Sequence, residues 1–199
     1  MYTPAPSYNE QRHGEDLALW QAFRAGQQQA LATLFDRYAQ QLYAYGHHIT
    51  ADEEAVKDGI QTLFVTLWAR REHLAAEVSV KFYLYGSLRR ELLKLRKEAR
   101  MWVPSAEHLE NEPSVEQQLM ASEDEHHRTI KLSTSLGQLS GREKEIINLK
   151  YFNNFKIREI ADLLQVNEQT VSNLLYRALQ KLRRSFTISL ALLLLLPGS

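Results

Sequence analysis

Apolar side chains recur at helical spacing along most of the chain. In residues 28–48 they fall three, one, three, four and three positions apart, which places them on one face of an amphipathic helix. Similar spacing predicts helices over 16–25, 53–68 and 80–101. No segment keeps a period of two, so the pattern predicts an all-α fold without a sheet.

Three further helices are predicted in the second half of the chain, over 129–139, 141–151 and a pair of short helices after residue 156. Ser140 with Glu143 three positions later forms a capping-box pattern. Residues 103–127 lack periodicity and contain two prolines, which predicts a linker between two small helical domains. The expected divisions are a flexible amino terminus at 1–14, a four-helix domain at 15–102, the linker at 103–127, a helix-turn-helix domain at 128–185 and an apolar tail at 186–199.

The charges are segregated along the chain although the 24 basic and 24 acidic side chains cancel. Residues 1–104 carry a net charge of +1, residues 105–127 have seven acidic side chains and no basic one, and residues 128–199 carry +6. The linker is therefore acidic and the last module basic. A basic module of this kind suits a partner that carries phosphates.

The last module contains the most specific motif, KIREIADLLQVNEQTVSNLLYRALQKLRR, from Lys156 to Arg184. A helix-turn-helix needs a small residue where its helices cross, and Ala161 occupies that position. The turn position that usually holds glycine is Gln165, which can adopt positive φ at some energetic cost. Asn167 is a good N-cap for the second helix. The alternative is an ordinary helical hairpin with a solvated polar face.

The second predicted helix of this motif has a polar face suited to DNA. Polar side chains early on a recognition helix read base edges in the major groove, and later basic ones neutralise phosphates. The candidate DNA-binding residues of this helix are Gln169, Thr170, Ser172, Asn173, Tyr176, Arg177 and Lys181.

Two helices of the first module have contrasting surfaces. The helix near 81–100 is basic with interleaved aromatics, which suits unpaired DNA, although the aromatics fit a core equally well. Its candidate DNA-binding residues are Lys81, Tyr85, Arg89, Arg90, Lys94 and Lys97. The helix at 53–68 is acidic and polar beside apolar side chains, which suits protein docking; alternatively, its acids only complement the helix dipole.

With both modules described, the chain resembles the sigma-70 family of RNA polymerase sigma factors, and within it the extracytoplasmic-function group, which keeps only regions two and four. The resemblance runs from about Asp16 to Arg184. Its carriers are LFDRYAQQLYAYGHHIT (34–50), AVKDGIQTLFVTLW (55–68), VKFYLYGSLRRELLKLRK (80–97) and LSGREKEIINLKYFNNFKIREIADLLQVNEQTVSNLLYRALQKLR (139–183).

The resemblance implies a role for each surface. The first module would bind the β′ clamp of core RNA polymerase through Asp58, Gln61, Phe64 and Trp68. The basic helix would capture and help open the −10 promoter element, and the recognition helix would lie in the major groove of the −35 element. The β flap and an anti-sigma factor are further implied partners, and the linker would run toward the RNA exit path.

Two alternatives to a sigma factor remain at this point. One is a helix-turn-helix regulator that acts without polymerase, and the other is a sigma-mimicking adaptor that sequesters an anti-sigma factor. The chain has no cysteine and no HExxH, Walker A, GxGxxG or GxSxG string, so we expect no catalytic residue, metal, cofactor or small-molecule substrate.

The two ends of the chain bear on its location. The amino terminus is polar and predicts no secretory signal, so we expect a cytoplasmic protein. The uncharged stretch after residue 185 is too short to span a bilayer. It predicts an extra helix packed on the last domain, with a docking segment or weak membrane contact as alternatives.

Overall fold

A computed structural model describes the backbone of residues 8–102 and 137–195, and the side chains of residues 11–98 and 137–184. The chain forms two compact units, Met1–Ala106 and Glu107–Ser199. The described residues form helices and turns without a β-strand, as the hydrophobic pattern predicts. The linker at 103–127 and most of the helix predicted at 129–139 lie outside the described residues and stay predictions.

The first unit contains four α-helices. They are α1 (Tyr8–Arg24), α2 (Gln28–Gly46), α3 (Glu53–Arg70) and α4 (Val80–Trp102), with a 3-10 turn at Arg71–His73. Gly26 ends α1 with a φ of 90°, a conformation that favours glycine. Asp52 caps α3 by accepting a hydrogen bond of 3.1 Å from the amide of Ala55. The sequence predicts both of these helix ends.

The core of the first unit is aromatic and aliphatic. Each helix contributes fully or almost fully buried side chains, including Trp20, Phe23, Leu34, Tyr45, Val56, Leu84 and Leu88. Helices α3 and α4 approach closely at Gly59, where an added Cβ would lie 2.8 Å from Leu92 Cδ2. The burial of these side chains is the main source of stability for a helical unit of this size.

Helix α1 is tied to the rest of the unit by polar contacts. Buried Asp16 accepts a hydrogen bond of 2.6 Å from Arg37 and a second one from the hydroxyl of Tyr38. Burial and this hydrogen bond raise the pKa of Tyr38. The indole of Trp20 donates to the carbonyl of Ala75, 2.9 Å away, in the segment before α4. Both ends of α1 are thus fixed by side chains distant in sequence.

The second unit contains α5 (Gly141–Ile147), a π-helical turn (Asn148–Phe152), α6 (Ile157–Leu164) and α7 (Glu168–Leu195). The capping box predicted at Ser140 and Glu143 is present. The helix predicted at 141–151 is not uniform, because its last part widens into the π-helical turn. Asn153 closes that turn through hydrogen bonds from its side chain to the carbonyl and side-chain oxygens of Asn148.

Two sequence-based expectations about the chain ends are corrected. Residues 8–14, expected to be flexible, form the first turns of α1. The apolar tail was expected as a separate helix, but the backbone of α7 continues without a break to Leu195. None of the helices in the described part of the chain is long and apolar enough to cross a membrane.

Candidate DNA and polymerase interfaces

The turn between α6 and α7 sets the crossing of the helix-turn-helix. Gln165 adopts a left-handed conformation with φ 56°, and its amide bonds to the carbonyls of Ala161 and Asp162. This confirms the positive φ expected at a position that commonly holds glycine. Asn167 then caps α7 by accepting a hydrogen bond of 2.7 Å from the amide of Thr170. Ala161 is buried where α6 and α7 meet.

Helix α7 buries one side and exposes the opposite one. Val171 and Ala178 are fully buried, and Ala178 belongs to a core cluster with Leu139 and Ile147. At about 3.6 residues per turn, positions 169, 173, 176, 177 and 180 fall on the side opposite that cluster. All five side chains there are exposed, and we call them the α7 stripe: Gln169, Asn173, Tyr176, Arg177 and Gln180.

Hydrogen bonds join members of the α7 stripe in pairs. The Gln169 amide donates to the side-chain oxygen of Asn173 at 3.0 Å. One turn and a half further along, the Gln180 amide donates to the Tyr176 hydroxyl at 2.6 Å. Neighbours spaced four apart on a helix are positioned for such contacts. The stripe therefore presents paired polar side chains rather than separate ones.

Three of the residues predicted to bind DNA on α7 use their polar atoms elsewhere. Thr170 donates its hydroxyl to Asn167, and Ser172 donates its hydroxyl to the carbonyl of Glu168. Lys181 donates to the carboxylate of Glu143 at 2.7 Å. Thr170 and Ser172 are half-buried, so the structure leaves four of the seven predicted residues together on the stripe.

Glu143 is a buried carboxylate that holds two elements together. It accepts hydrogen bonds from the amide and hydroxyl of Ser140, at 2.8 and 3.0 Å, and the one from Lys181. Burial alone would raise the pKa of Glu143, but these hydrogen bonds hold it below its usual range. The start of α5 is thereby linked to the later part of α7.

Helix α4 presents three of its predicted DNA-binding cations on one exposed face. Arg90, Lys94 and Lys97 are exposed and spaced four and three apart, which places them on a single side of the helix. Arg90 also donates to the hydroxyl of Ser87 at 3.1 Å. Tyr83, seven residues before Arg90, shares that face at half exposure, with its ring 5.1 Å from that of Trp20.

The prediction that Tyr85 contacts DNA is wrong for this structure. Tyr85 is fully buried, with its ring centroid 4.9 Å from that of Tyr45, and burial raises its pKa. The ammonium group of Lys81 lies 5.9 Å from the centroid of the Tyr85 ring, at a half-buried position. Arg89 is half-buried too. These three residues sit on the core side of α4 or beside it, so the exposed face is narrower than the sequence suggests.

Helix α3 exposes an acidic and polar face that also carries one apolar residue. Asp58 and Gln61 are exposed as predicted, and Val65 follows on the same side with 63% of its surface exposed. Helical spacing could have identified Val65, because it lies four positions after Gln61. We call Asp58, Gln61 and Val65 the α3 face.

Phe64 does not belong to that face. It is only 7% exposed and packs edge to face on Phe35 of α2, with ring centroids 5.0 Å apart. Phe35, which the pattern assigns to the core, is 42% exposed. Trp68 is half-buried, with the Arg71 guanidinium 4.7 Å from its ring centroid. The sequence therefore places the apolar part of this surface one residue away from its position in the fold.

The titratable side chains of the described residues do not assemble into a metal site. No group of three or more His, Cys, Asp or Glu side chains suited to a metal occurs among them. The chemistry that the exposed surfaces support is therefore reversible binding through hydrogen bonds, charge and apolar contact.

Comparisons with known proteins agree on one family. The family model for sigma-70 region 2 matches residues 34–101, and that for sigma-70 region 4 matches residues 129–182. RNA polymerase sigma factor SigV of Bacillus subtilis is 27% identical over 158 residues, which span 79% of this chain and 91% of SigV. These matches cover both units and include α2 to α4 and α5 to most of α7.

Solved structures share the fold. CnrH, in complex with the cytosolic domain of CnrY, is similar with a TM-score of 0.59 and 18% identity over 87% of this chain and 97% of that one. The sigma factor RpoE of Bartonella quintana, in complex with the anti-sigma factor NepR, has a TM-score of 0.58 and 17% identity over 79% of this chain and 96% of that one. With both conserved regions matched in order, this chain belongs to the sigma-70 family, in the extracytoplasmic-function group, and is a sigma factor of transcription initiation.

Proposed function

We propose that this sigma factor uses three separate surfaces in sequence: the α3 face for core RNA polymerase, α4 for the −10 element and the α7 stripe for the −35 element. The observation that carries the proposal is the α7 stripe, which exposes amide, phenol and guanidinium groups directly opposite the buried side of a helix-turn-helix. Such side chains have the donors and acceptors that read base edges and bind phosphates.

Core polymerase would dock on the α3 face. Asp58 and Gln61 supply charge and hydrogen bonds, and Val65 supplies apolar area that is exposed in the free protein. Phe35 and half-buried Trp68 would add to the contact at its border. The acidic character of this surface repels DNA phosphates and so favours a protein partner, for which we propose the β′ clamp. The second unit would bind the β flap.

Promoter opening would depend on the exposed face of α4. Arg90, Lys94 and Lys97 would bind the phosphates of the −10 element, and Tyr83 is the aromatic side chain of this face available to stack on an unpaired base. Binding energy that favours the unpaired strand shifts the equilibrium toward open DNA without any covalent step. The proposed activity thus requires no catalytic residue or cofactor, and its setting is the cytoplasm, where polymerase and the chromosome are found.

An anti-sigma factor is a further proposed partner. The similar factor RpoE of Bartonella quintana was solved bound to the anti-sigma factor NepR. On this chain, exposed Phe35 and Val65 are the apolar side chains that such a protein could cover in the first unit. Covering the α3 face would compete directly with polymerase.

Reconstitution with core polymerase tests the proposed function and separates it from its alternatives. We expect the full chain to direct transcripts from a limited set of genomic fragments and to need core enzyme for stable promoter binding. Equal promoter binding without core enzyme would indicate a regulator that acts alone. Absence of any promoter-selective transcript, with binding to an anti-sigma factor retained, would indicate a sequestering adaptor.

A further inference from the structure

The hydrogen bond between Gln169 and Asn173 joins two amide side chains near the start of the recognition helix. The donor and acceptor atoms are 3.0 Å apart, and both side chains are exposed. Residues near the amino-terminal end of a recognition helix are those that reach base edges in the major groove. The pair is therefore placed where direct readout occurs, if α7 acts as proposed above.

The hydrogen bond fixes what the pair can offer to a base. Each amide carries one carbonyl acceptor and one NH₂ donor group. The contact uses one carbonyl and one N–H, which leaves the Gln169 carbonyl and the Asn173 NH₂ group directed to other partners. If the contact ran in the opposite direction, it would still leave one carbonyl and one NH₂ group. The pair thus presents one donor and one acceptor in either arrangement.

We propose that Gln169 and Asn173 act as one unit that reads a single adenine in the −35 element. In the major groove, adenine offers the N7 acceptor beside the N6 donor, which matches both free groups of the pair. Guanine presents two acceptors, so the carbonyl of the pair would oppose one of them. Cytosine offers only a donor and thymine only an acceptor with a methyl group. This inference rests on the proposed function of α7 and adds the base that it selects.

Selection from a random library with the full holoenzyme tests the proposal. Core polymerase with the full chain would be used to select duplexes randomised across the −35 region, in parallel with Asn173→Asp and Gln169→Ala holoenzymes. We expect the unsubstituted chain to select adenine at one position, with that preference reduced about 5- to 150-fold in both variants. Asn173→Asp removes the donor, so cytosine, whose amine donates, should become the favoured base at that position.

Gln180→Glu is the matched control. It also converts an amide of a hydrogen-bonded pair on the α7 stripe into a carboxylate, but about 10 Å further along the helix. We expect it to weaken binding to all sequences through repulsion of phosphates and to leave base preferences unchanged. A uniform loss in Asn173→Asp, equal to that in Gln180→Glu, would overturn the adenine assignment.

Modified bases give an independent readout at the selected position. We expect 7-deazaadenine, which lacks N7, and purine, which lacks the N6 amine, each to reduce binding by the unsubstituted holoenzyme but not by Gln169→Ala, Asn173→Ala double variants. Unchanged binding to both modified bases would contradict the proposal. If the unsubstituted holoenzyme selects no −35 sequence at all, the proposed function of α7 fails as well, whereas selection of a different base overturns only this inference.

Discussion

Lys181 on the recognition helix is bound to Glu143 at the start of α5, with 2.7 Å between the ammonium nitrogen and the carboxylate oxygen. The two residues are 38 positions apart, and the carboxylate is almost completely buried. Position and charge suggest a phosphate contact for Lys181, but its partner in the fold is a protein carboxylate. Its expected role is therefore to hold α7 in place rather than to bind DNA.

Substituting Lys181 should reduce stability without changing the ionic contacts to DNA. We expect Lys181→Met to lower the free energy of unfolding by about 1.5–3 kcal/mol, because it removes a hydrogen bond to a buried charged group. The slope of log affinity against log salt concentration should be unchanged. Arg177→Ala is the control, since loss of one phosphate contact changes that slope by about 0.9. A changed slope in Lys181→Met would assign this residue to the DNA interface.

The contribution of Glu143 should depend on pH in a direction set by its pKa. Because its folded pKa is below the usual value of 4.5, the ionised form stabilises the fold. This contribution is fully present above pH 4.5 and is lost as the pH falls through the folded pKa. Urea unfolding from pH 7 to pH 3 should show Glu143→Gln less stable than the unsubstituted chain, by a margin that shrinks in acid. A constant margin across this range would contradict the prediction.

Adding charge at Val65 should disrupt polymerase binding selectively. Val65→Glu places a carboxylate on the α3 face at a position 63% exposed, so folding should be affected by less than about 0.5 kcal/mol. Affinity for core polymerase, measured by fluorescence anisotropy, should fall at least about tenfold because an apolar contact would then bury an unpaired charge. Thr66→Glu adds the same charge at the next, exposed position, which points away from this face. Equal losses in both variants would argue against the assigned surface.

Tyr85 and Arg90 should affect different properties of the first unit. Tyr85→Ala should cost about 3–5 kcal/mol of unfolding free energy, because a fully buried aromatic side chain is removed. Arg90→Ala should leave stability nearly unchanged and reduce promoter opening, which permanganate footprinting of unpaired thymines would measure. A Tyr85→Ala chain that keeps its full stability would show that Tyr85 is not a core residue.

The left-handed turn residue provides a test of backbone strain. Gln165→Gly and Gln165→Ala both remove the side-chain hydrogen bond to the Asp162 carbonyl, so they differ mainly in the cost of positive φ. We expect the glycine variant to be more stable than the alanine variant by about 1 kcal/mol in chemical denaturation. An alanine variant as stable as the glycine variant would mean that the turn relaxes out of the left-handed conformation.

The sequence predicts local features of this fold well, because those features depend on residues close together in the chain. The Asp52 cap, the Ser140–Glu143 capping box and the positive φ of Gln165 each follow from a few neighbouring residues. The helices of the first unit follow from the hydrophobic repeat, with only their ends displaced.

The exposed surfaces are harder to predict because they depend on the neighbouring helices. A residue turns by about 100° relative to the one before it, so positions at the edge of an apolar stripe can face either way. Phe64 rather than Val65, and Tyr85 rather than Tyr83, are the more buried members of such edges. The Lys181–Glu143 contact joins distant segments, and no local pattern signals it.

The contacts of α1 have a consequence for any dissection of this protein. The family match to region 2 begins at residue 34, yet Trp20 and Phe23 fill the core and the Trp20 indole anchors Ala75 just ahead of α4. A fragment cut at the limits of sequence similarity would leave a cavity where two large rings belong and release the entrance to the basic helix. The smallest piece able to melt a promoter is thus defined by folding rather than by homology, and it must begin before Asp16.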